Sequence, residues 1–106
     1  MTPDARFETI LENMVMLGVT RSGMFGRRSL MADGQVIAVF LDDAMTFRLG
    51  VDSVQHAKAL ALDGAELWHP ADKAMAFKDW VRVPVSESDH WANLAEEALH
   101  RIRQKL

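Results

Sequence analysis

The run Gln35–Leu41 constrains the fold of this chain more than any other stretch. Six of its seven residues are apolar, so a strand built from it has apolar side chains on both faces. Turn residues bound it on either side. Asp33-Gly34 precedes the run, and both residues tolerate the positive φ of a tight hairpin turn. Asp42-Asp43 follows it and favours a second turn. The pattern predicts the central strand of a three-stranded meander within Met24–Gly50, with helices on one of its faces.

The chain before the meander predicts a helix. Thr2 is a good N-cap, Pro3 suits the first helical position and Gly18 ends the helix. After the meander, Asp52 is expected to cap a short helix, with Gln55 three residues on as in a capping box. The apolar stripe expected for this short helix is Val54, Ala57, Leu60 and Ala61.

The last third of the chain predicts two more strands and a final helix. The strands are Glu66–His69 and Met75–Val83, each followed by a proline and joined by a turn at Ala71–Lys73. Ser86 or Ser88 is expected to cap the final helix. Its predicted buried stripe is Trp91, Leu94, Ala95, Ala98, Leu99, Ile102 and Leu106.

Together these elements predict one α+β domain over residues 1–106, in the order αβββαββα. We expect two layers, with a five-stranded, mainly antiparallel sheet and the helices on one face. The chain has no cysteine, which excludes disulfides and thiolate chemistry. The N-terminus has no apolar core of a signal peptide, and no apolar run approaches the roughly 20 residues that span a bilayer. We therefore expect a cytoplasmic protein.

Catalytic and metal-binding patterns are not evident in the sequence. The four histidines do not show the i, i+4 spacing of a helical zinc pair; they are His56, His69, His90 and His100. Gly23 and Gly26 are three residues apart, but no Lys-Ser or Lys-Thr follows them, so a phosphate-binding loop is not supported. We expect a non-enzymatic protein that needs no cofactor and no metal.

One face of the predicted sheet combines aromatic, apolar and basic side chains. If Phe47 and Leu49 face the helices, alternation turns Arg48 to the opposite face. The same rule, applied with Phe77, Val81 and Val83 facing inward, turns three residues of the last strand outward. The candidate binding face is Arg28 (or Arg27), Ile37, Val39, Arg48, Lys78, Trp80 and Arg82. Aromatic residues and arginine are enriched at the energetic centres of protein interfaces.

Three functions are compatible with this face. The first is a protein-interaction domain, expected to be a homodimer, that uses the helix-free face or an edge strand. The second is a small-anion-binding protein or a cryptic enzyme, in which Arg48 and Arg82 hold a carboxylate or phosphate by bidentate contacts. The third is direct DNA binding, which the net charge of −3 opposes.

A series of short motifs extends over nearly the whole chain. They are Met24-Phe25-Gly26, Asp33-Gly34, Phe40-Leu41-Asp42-Asp43, Phe47-Arg48-Leu49, Met75-x-Phe77-Lys78-Asp79-Trp80-Val81-x-Val83-Pro84, Trp91 and Ala98-Leu99. In this order they resemble the TfoX N-terminal domain family, whose better-known members are the TfoX/Sxy regulators of natural competence. The resemblance implies a secretion-chaperone-like α+β fold and a regulatory or interaction role, and it supplies no catalytic residues.

Two features depart from the family pattern. Arg27-Arg28-Ser29 follows the Met-Phe-Gly motif, where family members often have a further glycine and a small or aromatic stretch. Competence regulators also carry a C-terminal helical domain that this sequence does not contain. We therefore do not carry the competence role over to this chain.

Overall fold

The computed structural model describes residues 1–24, 26–70 and 75–104. Within these residues the chain forms three α-helices and six strands. The helices are α1 (Pro3–Met14), α2 (Val54–Leu60) and α3 (Trp91–Arg103). The strands are β1 (Thr20–Met24), β2 (Arg27–Ala32), β3 (Gln35–Phe40), β4 (Ala44–Arg48), β5 (Glu66–Trp68) and β6 (Phe77–Pro84). Short 3₁₀ helices, Val15–Leu17 and Val85–His90, follow α1 and precede α3.

All six strands belong to one antiparallel sheet, in the order β1-β2-β3-β4-β6-β5. The expected α+β class is confirmed, but the sheet has six strands where five were expected. The additional strand is β1, which pairs with β2 from Thr20 opposite Met31 to Met24 opposite Arg27. Its sequence, TRSGM, lacks the apolar alternation of an inner strand because it lies at the edge of the sheet.

The two turns around β3 form as predicted. Asp33 and Gly34 both have positive φ, 53° and 77°, which is the backbone of a type I′ hairpin turn. Asp42 has φ 71° in the turn between β3 and β4. These turns fix the order of the three central strands.

The first and last helices follow the sequence closely. The Thr2 hydroxyl accepts a hydrogen bond from the Ala5 amide at 3.1 Å, and Gly18, with φ 88°, ends the 3₁₀ turn after α1. The described residues of the predicted α3 stripe are all buried, from Trp91 to Ile102. Neither Ser86 nor Ser88 caps α3, because the 3₁₀ helix occupies that segment and α3 begins after His90. Leu106 and the turn at Ala71–Lys73 lie outside the described residues.

The prediction for α2 was wrong in its cap and in its buried face. Ser53, not Asp52, caps the helix, and its hydroxyl accepts from the His56 amide at 3.0 Å. The buried side chains are His56 and Ala59, whereas Val54 is 63% exposed. The imidazole Nε2 of His56 lies 2.8 Å from the carbonyl oxygen of Lys78. This contact ties α2 to β6.

The main core lies between the sheet and the three helices. Its centre is an aromatic group in which Phe40 contacts Phe7 and Trp91, with ring centroids 5.3 Å and 6.3 Å apart. Trp91 is fully buried, and its indole N–H donates to the carbonyl oxygen of Val83 at 3.1 Å. The helical layer therefore covers one face of the sheet, and a separate apolar cluster lies on the other face.

Candidate binding face

A second apolar cluster occupies the sheet face opposite the helices, which we call the helix-free face. Its centre is Val39 on β3, Trp68 on β5 and Trp80 on β6, with exposures of 0%, 4% and 7%. The ring centroids of Trp68 and Trp80 are 5.2 Å apart. Partly exposed apolar residues surround this centre: Met24, Val36, Leu41 and Phe77. The face therefore has a buried aromatic centre and a half-exposed apolar rim.

The register of the sheet aligns small side chains across the middle of this face. Ser29 lies opposite Val39, Val39 opposite Thr46, and Thr46 opposite Arg82. The first three residues of this row are fully buried. Two residues further along β4, on the same face, Arg48 lies opposite Trp80. Arg48 and Trp80 are thus cross-strand neighbours on the same face as this row of small residues.

Arg48 is the unusual charge on this face. One guanidinium nitrogen donates to the Gln35 side-chain oxygen at 3.4 Å, while its Nε is buried and has no hydrogen-bond partner within residues 1–24, 26–70 and 75–104. No described carboxylate oxygen lies within 4.0 Å of Arg48. Six of the eight arginines do have such a partner: Arg6, Arg21, Arg27, Arg28, Arg82 and Arg103. Arg48 therefore keeps hydrogen-bonding capacity that most arginines of this chain have used.

Thr46, two residues before Arg48 on the same strand, adds a second unsatisfied group. It is fully buried, and its hydroxyl oxygen has no hydrogen-bond partner among the described residues. A buried polar group without a partner costs about 1–3 kcal/mol. The two groups lie on the same side of β4 because residues i and i+2 share a face. Two unsatisfied polar groups therefore lie on the helix-free face of β4.

Arg82 shares the face with Arg48 but is already paired. Its guanidinium contacts the Asp43 carboxylate at 3.1 Å and lies 3.9 Å from the Glu66 carboxylate. The sequence predicted that Arg48 and Arg82 would together hold a carboxylate or phosphate. In the structure both arginines lie on one face, but Arg82 is already paired with the carboxylates of Asp43 and Glu66.

The structure places Arg28 on the helical side of the sheet, contrary to expectation. Its guanidinium is hydrogen-bonded to Asp4 and, at 3.0 Å, to Glu8 of α1, and it lies 4.9 Å from the centre of the Phe40 ring. Alternation along β2 explains this position, because Leu30 and Ala32 face the core and Arg28 shares their side. Arg27, the alternative to Arg28, is paired with Asp42 at 3.1 Å.

The charges at α1 shift the pKa values of two groups. The hydrogen bond from Arg21 is the largest influence on Glu8 and lowers the pKa of its carboxyl. The hydrogen bond to Asp4 is the largest influence on Arg28 and raises the pKa of its guanidinium. This cluster ties α1 to β1 and β2 and leaves Arg28 unavailable to the helix-free face.

Ile37 also lies in the main core and not on the helix-free face. The pairing between β2 and β3 shifts there, since Leu30 lies opposite Ala38 while Met31 lies opposite Val36. Ile37 is thus the extra residue of a β-bulge, which breaks the simple alternation along the strand. Val39, beyond the bulge, keeps its expected side.

The start of β6 deviates in a similar way. The pairing with β5 jumps from Leu67 opposite Val81 to Trp68 opposite Phe77. Phe77, expected to face the helices, consequently packs beside Trp68, with ring centroids 5.6 Å apart. The Lys78 side chain is exposed, and its carbonyl oxygen contacts the imidazole Nε2 of His56. The predicted binding face did not include Trp68, although the predicted strand Glu66–His69 already placed this residue in the sheet.

Across residues 1–24, 26–70 and 75–104, no three His, Asp or Glu side chains come together to hold a metal ion. No helix in those ranges is long and apolar enough to cross a membrane. Comparison with protein-family models, with curated proteins and with solved structures gives no match for this chain.

Proposed function

We propose that this protein is a non-enzymatic interaction domain whose helix-free face binds an acidic protein surface. The observation that carries this proposal is the unpaired guanidinium of Arg48 beside the Trp68–Trp80 cluster. Arginine next to a packed aromatic group is the composition of interface hot spots. A carboxylate from a partner would supply the charged acceptor that Arg48 lacks among the described residues.

The half-exposed rim supports the same proposal. Met24, Val36, Leu41 and Phe77 surround the buried centre and retain part of their accessible surface. Covering this rim would remove apolar area from water, at roughly 25 cal/mol per Å². It would also exclude water from Arg48, which strengthens its interaction with a carboxylate.

We propose that the partner is a second copy of this chain, which makes the protein a homodimer. The helix-free face carries both the unpaired Arg48 and exposed carboxylates, since the side chains of Asp43 and Glu66 are 74% and 61% exposed. A two-fold axis through the face would bring a basic region of each copy against an acidic region of the other. The face is thus complementary to itself in charge and in apolar character.

The test is the mass in solution over a range of protein concentrations, measured by light scattering. The wild-type chain is expected to approach twice its 11.9 kDa mass. Arg48→Glu is expected to return it to the mass of one chain. Lys58→Glu is the matched control, because it makes the same charge change at an exposed position of α2 and should leave the dimer intact.

Two results would contradict the proposal. A wild-type chain that stays monomeric at every concentration refutes self-association. A dimer that survives Arg48→Glu refutes this placement of the interface. If the chain is monomeric, a displayed peptide library distinguishes an acidic partner of another kind, because wild-type protein should then select Asp- and Glu-rich peptides that the Arg48→Glu variant does not.

A second candidate function is the binding of a small anion at Arg48. The guanidinium of Arg48 favours it, because no described carboxylate pairs with it and a carboxylate or phosphate can accept charge-assisted hydrogen bonds from arginine. A panel of anionic metabolites should then raise the melting temperature of the wild-type chain, since a ligand of the native state stabilises it. Arg48→Ala should abolish the shift, and a panel without any shift would contradict this function.

The TfoX resemblance supplies the wider context of the proposal. We include in the proposal a regulatory role, a secretion-chaperone-like fold and a cytoplasmic location. The cysteine-free composition fits a reducing compartment. Direct DNA binding is disfavoured by the net charge of −3. Retention on immobilised DNA that weakens steeply with salt would overturn that judgement.

A further inference from the structure

A separate depression lies between the loop that precedes α2, strand β6 and helix α3. Its volume is about 300 Å³, and it is lined by Gly50, Val51, Asp52, Ser53, Asp79 and Arg101. A smaller depression of about 90 Å³ adjoins it, sharing Ser53 and Arg101. The larger volume is at the lower end of the range of small-molecule sites.

Gly50 allows the guanidinium of Arg101 to lie in this depression. Gly50 has φ +83°, and a methyl group built on it would come within 2.9 Å of the guanidinium carbon of Arg101. One terminal nitrogen of Arg101, Nη1, is buried and has no hydrogen-bond partner in the part of the chain that the structure describes. Like Arg48, Arg101 has no described carboxylate oxygen within 4.0 Å. The side chain is therefore positioned by packing and not by an ion pair.

A network of hydrogen bonds orders the other residues that line this depression. The carbonyl oxygen of Asp79 accepts from the amides of Leu49 and Gly50 at 2.9 and 3.1 Å. Its carboxylate accepts from the Val51 amide at 2.9 Å. The Ser53 hydroxyl donates to the Leu49 carbonyl oxygen at 2.6 Å. A ligand would meet a wall that is already ordered, which reduces the entropic cost of binding.

Opposite charges line this depression without pairing with one another. Asp52 and Asp79 form part of its lining, and neither has a described cationic nitrogen within 4.0 Å. A simple anion would be attracted by Arg101 but repelled by the two carboxylates. A simple cation would be attracted by the two carboxylates but repelled by Arg101. A molecule that carries both charges can satisfy the two sides together.

We propose that this depression binds a small zwitterion, namely a free α-amino acid. Its carboxylate is held by Arg101, and its ammonium group lies towards Asp52 and Asp79. The site is independent of the helix-free face, because it uses α3 and the entry to α2. Its failure would therefore leave the interaction proposal untouched.

The test is an NMR titration of the full chain with each of the common α-amino acids at millimolar concentration. The signals to follow are the side-chain Nε–H of Arg101 and the backbone amides of Gly50 and Asp52. At least one amino acid should shift all three in a saturable way. Its deamino and decarboxylated analogues should each bind about tenfold more weakly or worse, since each loses one charged contact.

Matched variants assign the effect to the depression. Arg101→Gln and Asp52→Asn should each weaken binding about tenfold, and Arg101→Lys should also weaken it because lysine lacks the planar fork. Arg103→Gln makes the same charge change in the same turn of α3, where Arg103 pairs with Asp33 at 3.0 Å, and should bind normally. The amide spectrum of each variant shows that it is folded.

Three results would overturn the proposal. The first is that no amino acid shifts these signals. The second is that the deamino analogue binds as tightly as the amino acid, because the carboxylates would then contribute nothing. The third is that Arg103→Gln weakens binding as much as Arg101→Gln does.

Discussion

Replacing Thr46 with valine should stabilise the isolated chain. Thr46 is fully buried on β4, and its hydroxyl has no partner among the described residues. Valine has the same shape but replaces the hydroxyl with a methyl group, which removes a penalty of about 1–3 kcal/mol. Allowing for imperfect packing of the new methyl group, we expect the free energy of unfolding to rise by about 1 kcal/mol.

The corresponding change in melting temperature follows from the size of the chain. An unfolding entropy of about 2.1 cal/mol/K per residue, over 106 residues, gives roughly 0.22 kcal/mol/K. A gain of about 1 kcal/mol then raises the melting temperature by about 4–5 °C. Urea unfolding followed by tryptophan fluorescence gives the free energy directly, and two protein concentrations separate folding from association.

Two control variants isolate the hydroxyl. Thr46→Ser keeps the hydroxyl and loses a methyl group, so it should destabilise the chain by about 1 kcal/mol. Ser29→Ala removes a buried hydroxyl on the same face that does have an acceptor, the Arg27 carbonyl oxygen at 3.3 Å, and should cost about 0.5–1 kcal/mol. A Thr46→Val variant that is less stable than wild type by 1 kcal/mol or more would show that the hydroxyl is bonded in the free protein.

Three further predictions concern the rest of the fold. Trp91→Ala should cost about 3–5 kcal/mol in urea unfolding, because it empties the centre of the core and removes the donor to Val83; a loss under about 1 kcal/mol would contradict that position. Gly34→Ala should cost about 1 kcal/mol, because the position has φ 77°, and an unchanged urea midpoint would argue against the hairpin geometry. Arg21 lowers the pKa of Glu8 below its ordinary value of 4.5, so the stabilisation by this pair is complete above that pH and is lost as the pH falls through the lower folded value. Acid titration of Glu8→Gln should lack this component, and a titration identical to that of wild type would show that the pair does not contribute.

Strong local signals in the sequence predicted the parts of the fold that depend on one segment. The Asp33-Gly34 turn, the Thr2 cap and the apolar stripe of α3 all form as expected. In each case the turn or cap residue and the apolar spacing point to the same structure. Agreement between local and global preferences is what makes such elements predictable.

The bulge at Ile37 could not be predicted from alternation. Residues on both sides of it are apolar, so shifting the strand by one position exchanges one apolar side chain for another. A register slip is penalised only where one face is polar. The same uniformity that identified β3 as the central strand therefore concealed which side chains face the helices.

The helix-free face was predicted in outline but not in its pairing. Alternation along β4 and β6 placed Arg48, Trp80 and Arg82 together, as the structure has them. It could not show that Arg82 contacts Asp43, which is 39 residues away in the chain, or that Arg48 has no carboxylate partner among the residues that the structure describes. Long-range ion pairs depend on loop positions that side-chain spacing does not encode.

The most direct test of the central claim follows the Arg48 side-chain Nε–H signal by NMR over a dilution series of the wild-type protein. If the helix-free face is the interface, this signal should move as the protein is diluted, with the same midpoint as the fall in molecular mass. The side-chain signal of Arg103, on the helical side, should stay fixed. An Arg48 signal that does not move while the mass halves would place the interface elsewhere and contradict the account.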